Sequence, residues 1–136
     1  MTSRRRISAA LVGLIALVVI GWFVRDYAGA GTQQAVPGAE SGLPVQELSA
    51  LPPEAGQTWR LIIKGGPFPF PGKDGSVFGN REHILPGQAA GYYHEYTVPT
   101  PGSPDRGARR LVTGGHSELY YTSDHYESFV VVNAAG

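Results

Sequence analysis

A glutamate at the centre of an aromatic, β-branched run is the first residue in this chain whose position demands a reason. Tyr92-Tyr93-His94-Glu95-Tyr96-Thr97-Val98 follows Gly91 and precedes Pro99, a composition and punctuation that predict a strand. Alternation puts Tyr93, Glu95 and Thr97 on one face and His94, Tyr96 and Val98 on the other. Strands disfavour Glu, and a buried carboxylate is costly without a partner or a task. Downstream come Arg106, Arg109, Arg110 and then Asp124-His125-Tyr126. Converging on one sheet face, these residues would make an acid–base site for a phosphate ester. A carboxylate can accept a proton, an imidazolium can deliver one, and guanidinium groups can grip the phosphate oxygens.

A second polar stretch lies upstream, in Val77-Phe78-Gly79-Asn80-Arg81-Glu82-His83-Ile84-Leu85-Pro86. It passes from strand-like to loop-like. Gly79 and Asn80 tolerate conformations that present backbone N–H groups to a ligand. Glu82 could accept a planar donor pair such as the N1–H and N2–H₂ edge of guanine, and Phe78 could stack on a base. Local chemistry alone favours a plain turn with a solvated Arg81 and Glu82. His83, His94 and His116 lack metal-ligand spacing and read as non-catalytic, with His94 the nearest of the three to a substrate.

The elements that must position these residues follow from periodicity. Pro52 and Pro53 suit a helix start, with Glu54 near its positive end. Ala55, Thr58, Trp59, Ile62 and Ile63 recur at helical spacing, and Gly65-Gly66-Pro67 ends the pattern. Trp59 and Ile62 or Ile63 should face the sheet. Gly66 to Gly75 reads as a loop, as does Pro99 to Asp105. Further strands are predicted over 109–113, 118–122 and 128–132, which places Arg109 on the opposite side of its strand from Arg110. One helix followed by a run of strands predicts an α+β fold, a helix packed on an antiparallel sheet.

The 136 residues suffice for one small domain with a core, and they include no cysteine. Nineteen glycines and 11 prolines imply many turns. Eleven bases balance 11 acids, but four bases and one acid fall in residues 1–30, leaving seven bases and ten acids, a formal charge of −3. Such a body is not a general electrostatic binder of nucleic acid. Arg4, Arg5 and Arg6 precede an apolar run from Ile7 to Val24, and Ala28-Gly29-Ala30 offers a small-x-small cleavage site. Residues 1–30 therefore read as a signal peptide or an N-terminal membrane anchor, with residues 7–24 the only membrane contact and the body outside the cytoplasm. Residues 31–46 read as a flexible linker and residues 47–136 as the folded domain.

Over about residues 47–136 the chain resembles the microbial guanyl-specific ribonucleases, the family of barnase and its small secreted bacterial relatives. The resemblance is carried by LSALPPEA, GPFP, DGSVFGNRE, LP, GYYHEYTVPTPG, RGARR, TGG and YYTSDHYESF in collinear order. It implies one helix on a curved antiparallel sheet. It also implies Glu95 as general base, His125 as general acid, and Arg106 and Arg110 as phosphate-binding groups that keep Glu95 ionised. Phe78, Asn80, Arg81 and Glu82 would form the guanine-recognition loop, with Tyr126 beside the acid. Gly79 stands where many relatives carry Gln or Ser; the resemblance implies a loop that uses main-chain groups, so little loss is expected there. Some relatives tie their termini by a disulfide; here Glu47 stands near one such position, so tethering is expected to be absent.

The implied reaction is cleavage of single-stranded RNA 3′ of guanosine through a 2′,3′-cyclic phosphate, with no metal and no cofactor. Free glutamate and histidine titrate near about 4.3 and 6.5, so an ionised base and a protonated acid coexist between about pH 4 and 7. The implied partners are the RNA substrate and a barstar-like inhibitor, the chain itself being a monomer. Two other classes compete: a non-catalytic extracytoplasmic RNA- or ligand-binding module of the same fold, and an antibacterial ribonuclease toxin. Each of Glu95 and His125 also has a blander reading, as a structural ion pair with Arg110 and as a turn residue beside Asp124.

Overall fold

The computed structural model describes residues 35–136. The predicted signal or anchor over residues 1–30 lies outside them. The helix, α1, spans Pro53–Lys64, with proline in its first turn, Glu54 at its positive end and Lys64 at its negative end. Gly65 ends it in the left-handed region, φ 88°. Its N–H and that of Gly66 bond back to Ile62 O and Leu61 O at 3.2 and 2.9 Å, which satisfies carbonyls the helix leaves open. Ile62 packs inward, whereas Ile63 is 67% exposed.

Six strands form one sheet: β1 (Val45–Glu47), β2 (Ser76–Phe78), β3 (Tyr93–Thr97), β4 (Arg110–Thr113), β5 (Leu119–Thr122) and β6 (Val130–Asn133), in the order β1-β6-β5-β4-β3-β2. The expectation of a purely antiparallel sheet is corrected at one edge. β1 pairs parallel with β6, Val45 opposite Val131 and Glu47 opposite Asn133; every other pairing is antiparallel.

That pairing also moves the start of the fold. Residues 31–46 were expected to form a flexible linker, yet Val36 and Leu43 pack on the core, a 3-10 turn spans Ala39–Ser41, and β1 begins at Val45. Gly38 shows why this segment lies close: a Cβ there, at φ +90°, would come within 2.9 Å of the Tyr120 hydroxyl. Together with the β1–β6 ladder, the Ser49 N–H to Gly136 O bond of 3.2 Å joins the two ends of the fold without cysteine.

Each face of the sheet carries its own core. Leu111, Leu119, Tyr121, Val98 and Val132 meet α1 through Ala55, Trp59 and Ile62. Leu111 and Leu119 are 0% and 1% exposed, each stabilising the fold by roughly 1.5–3 kcal/mol. Thr58 Oγ1 donates to Thr97 O at 3.0 Å, fixing the helix to β3. The opposite face gathers Val112, Tyr120, Val131, Phe129, Tyr93 and Leu85. Cross-strand partners share a face, so Glu95, Val112, Tyr120 and Val131 form one row away from the helix, and Thr97, Arg110 and Thr122 form the next.

At the β4–β5 hairpin, the Tyr92 hydroxyl donates to Glu118 Oε2 at 2.5 Å and sits 2.8 Å from His116 Nδ1, while the His116 backbone N–H donates to Glu118 Oε1 at 2.7 Å. Burial pushes the Glu118 carboxyl up, but the hydrogen bonds from Tyr92 and the backbone outweigh it and hold the group below its ordinary 4.5. The bond to Glu118 in turn pushes Tyr92 up to about 12. A depressed carboxyl stabilises the fold fully above its unfolded value and loses that contribution as pH falls through the folded one. Glu118→Gln is therefore expected to lower Tm at pH 7 and to match the native protein more closely below pH 4; thermal melts across that range check it.

Candidate active site

Glu95 stands half-buried on β3, between Ser76 of the edge strand β2 and Val112 of β4. The Tyr126 hydroxyl donates to its Oε1 at 2.5 Å. Burial, then the bond to Glu95, push Tyr126 up to about 12, with the Arg110 charge pulling the other way. The Tyr126 ring stacks on Phe78 at 5.0 Å and 28°, and the His125 ring lies 4.6 Å from it. Base candidate, tyrosine, acid candidate and recognition strand are thus joined through one aromatic ring.

Glu95, His125 and Tyr126 line a single cleft of about 950 Å³ with Val77, Phe78, Gly79, Asn80, Arg81, Glu82, Ile84 and Glu127. Its size is near the top of the usual range of about 300–1,000 Å³ for ligand sites. Seven of the nine predicted site residues meet here. Two of them also make contacts within the protein that their local sequence did not indicate. Phe78 was expected to offer a face to a base; Tyr126 stacks on its ring, and Phe129 and Tyr93 meet it in T-shaped contacts. Asn80, at φ 52° and 8% exposed, turns its side chain inward. Its Nδ2 donates to Leu85 O at 2.9 Å and its Oδ1 accepts Leu85 N–H at 3.1 Å. Asn80 is thus the clasp of the 80–85 loop. Among the described residues, the backbone N–H groups of Gly79, Asn80, Arg81 and Glu82 find no protein acceptor. Arg81 and Glu82 are exposed.

Arg106 and Arg110 are not among the cleft-lining residues. Arg106 Nη1 donates to Thr97 Oγ1 at 3.0 Å, two residues along β3 from Glu95. Arg110 is 2% exposed, and its Nη1 donates to Gly107 O and Arg109 O at 2.9 and 2.7 Å. Arg110 bonds backbone carbonyls and Glu95 bonds a tyrosine, so among the described residues no direct hydrogen bond joins the two. Among the described residues, the buried Nε of Arg110 has no hydrogen-bond partner. His94, expected nearest the substrate among the other histidines, instead places Nδ1 2.9 Å from Gly75 O.

The turn carrying His125 is unusual. His125 and Tyr126 both have left-handed backbones, φ 55° and 74°, a conformation that costs non-glycine residues roughly 1–2 kcal/mol each. Thr122 Oγ1 accepts the Tyr126 N–H at 3.0 Å, and Ala108 O accepts the His125 N–H at 3.0 Å. Glu127 and Ile84 also line the cleft, and nothing in their sequence context singled them out.

A carboxylate, a histidine and a polar loop thus meet in one cleft on the sheet face away from α1, an arrangement that suits a small ribonuclease. A family model described as ribonuclease matches residues 34–133. The chain is 61% identical over 92 residues to guanyl-specific ribonuclease St of Saccharopolyspora erythraea, covering 68% of this chain and 90% of that relative. It is 58% identical over 87 residues to guanyl-specific ribonuclease Sa of Kitasatospora aureofaciens, covering 63% and 90%. A crystal structure of ribonuclease Sa2 with guanosine-2′-cyclophosphate matches with a TM-score of 0.65 and 48% identity, over 69% of this chain and 99% of that one. The chain belongs to the microbial guanyl-specific ribonuclease family, and it is an endoribonuclease of that class.

Proposed function

We propose that the enzyme cuts single-stranded RNA on the 3′ side of guanosine through a 2′,3′-cyclic phosphate. The observation that carries this reading is the convergence of Glu95, His125 and the 79–82 loop on one cleft. Glu95 takes the proton of the guanosine 2′-hydroxyl as that oxygen attacks phosphorus. The bond to the 5′-oxygen breaks, and His125 protonates that oxygen as it leaves. The cyclic phosphate is then hydrolysed to a 3′-phosphate with the two roles reversed. Arg106, Arg110 and Tyr126 hold the phosphate. Four uncommitted backbone N–H groups and the free Glu82 carboxylate supply donors and acceptors for the edges of guanine. DNA lacks the 2′-hydroxyl and should bind without being cut.

The test uses short RNAs, each with a single different base, and the protein lacking residues 1–30, in excess chelator. Release of a cyclic phosphate after guanosine alone is expected. Cutting after every base would remove the role given to the 79–82 loop, and a folded but inert protein would remove the enzyme mechanism.

The arginine cluster and the apolar run over 7–24 support action outside the cytoplasmic membrane, either secreted or anchored. Among the described residues, no helix is long and apolar enough to cross a membrane. Fractionation of producing cells should place the folded domain in the medium or on the membrane; a purely cytosolic protein would refute this.

A further inference from the structure

We propose that Asp124, held by Thr122 and Ser128, is a positioning residue that sets where His125 stands relative to Glu95. This rests on the reading of His125 as the acid. The Asp124 carboxylate closes a ring of hydrogen bonds around His125, Tyr126 and Glu127. Its Oδ1 accepts the Thr122 hydroxyl at 2.8 Å and the Ser128 N–H at 2.9 Å, and its Oδ2 accepts the Ser128 hydroxyl at 2.5 Å. Thr122 Oγ1 accepts the Tyr126 N–H at 3.0 Å, inside that ring.

Thr122 is the last residue of β5, 1% exposed, and pairs in register with Arg110. The ring is therefore built on a rigid strand end. It encloses two consecutive non-glycine residues with positive φ, a backbone that persists only where the surroundings over-determine it. Relaxation of this turn would carry the His125 ring away from the Tyr126 ring, and with it from the carboxylate that Tyr126 bonds. The hydrogen bonds from Ser128 also hold the Asp124 carboxyl below its ordinary range, consistent with an ionised acceptor. Asp124 acts through its neighbours. Its loss should show in the step that needs the acid and spare the binding of the base.

Two substrates separate these steps: a guanylyl dinucleotide, whose 5′-oxygen must be protonated, and guanosine 3′-(4-nitrophenyl phosphate), whose leaving group departs without a proton. With the dinucleotide, Asp124→Ala should lower kcat by about 100-fold with KM little changed, the size of loss that a small misplacement of a reacting group produces. With the nitrophenyl ester it should remain close to the native enzyme. Asp124→Asn, which keeps one acceptor oxygen, should recover part of the loss. Ser128→Ala should show a smaller loss in the same pattern, and it carries the test if Asp124→Ala does not fold. Equal loss on both substrates, or a rise in KM alone, in a variant that melts like the native protein would overturn the proposal. His125→Ala is the control. If the nitrophenyl ester does not rescue it, the assignment of His125 as the acid falls first, and the role of Asp124 falls with it.

Discussion

Glu95→Gln is expected to lower kcat for guanylyl dinucleotides by about 10²- to 10⁴-fold, the usual contribution of a positioned general base. Glutamine has the same shape and keeps an oxygen for the Tyr126 hydroxyl, which now lies 2.5 Å from Oε1. The cleft should therefore remain intact while its proton acceptor is lost. Glu95 is only half-buried and bonds a neutral group, but the buried Arg110 charge lies on the same sheet face, so a modest loss of stability should accompany the loss of rate. The effect should fall on kcat with KM nearly constant, the signature of a group used in the transition state. His125→Ala should cause a loss of similar size, and the double variant should be far less than multiplicatively worse, since the two act in one proton-transfer step. Single-turnover rates together with melting curves check this. A Glu95→Gln enzyme that keeps more than a tenth of its rate would show that the carboxylate is structural.

Glu82→Ala should remove most of the discrimination for guanine. The carboxylate is exposed on a loop that is otherwise clasped by Asn80, so its loss should disturb a contact and not the fold. Hydrogen bonds to a charged acceptor contribute about 1.5–3 kcal/mol each. Two such bonds, from N1–H and N2–H₂, correspond to roughly a 10²- to 10⁴-fold loss in kcat/KM. Inosine lacks the exocyclic amine, so the native enzyme should prefer guanosine to inosine by about 10- to 150-fold, and the variant should scarcely distinguish them. If Glu82→Ala leaves that gap unchanged, recognition lies elsewhere in the loop.

How far the molecule was legible depends on whether a feature is local. The helix was readable because proline, an apolar stripe and paired glycines mark it within thirteen residues, Pro53 to Gly65. β3 was readable because aromatic and β-branched residues dominate it, and Glu95 was conspicuous because it did not belong there. β1 was not readable. Val45, Gln46 and Glu47 are all exposed and carry no period, and their strand identity comes only from the parallel partner Val131–Asn133 more than eighty residues away. β6 was expected from Ser128 but begins at Val130, because Ser128 is engaged by Asp124. The site residues were named from their types and from a family resemblance; their partners were not. Nothing local indicated that Phe78 would spend a face on Tyr126, or that Asn80 would turn inward as a clasp.

The base-recognition loop came only from a family resemblance; by itself the sequence determined one helix in the folded domain, a run of strands, a carboxylate inside one of them and a histidine turn. Those follow from side-chain period, turn chemistry and residue type, all properties of a few neighbouring residues. The tertiary structure alone decided the distances and the partners. It placed Glu95 against a tyrosine and not an arginine, buried Arg110 with an unspent donor, and wound Asp124 around the turn that carries His125. Each of these depends on strand register and on loops closing over one another, and such contacts between distant residues are set only when the whole sheet packs.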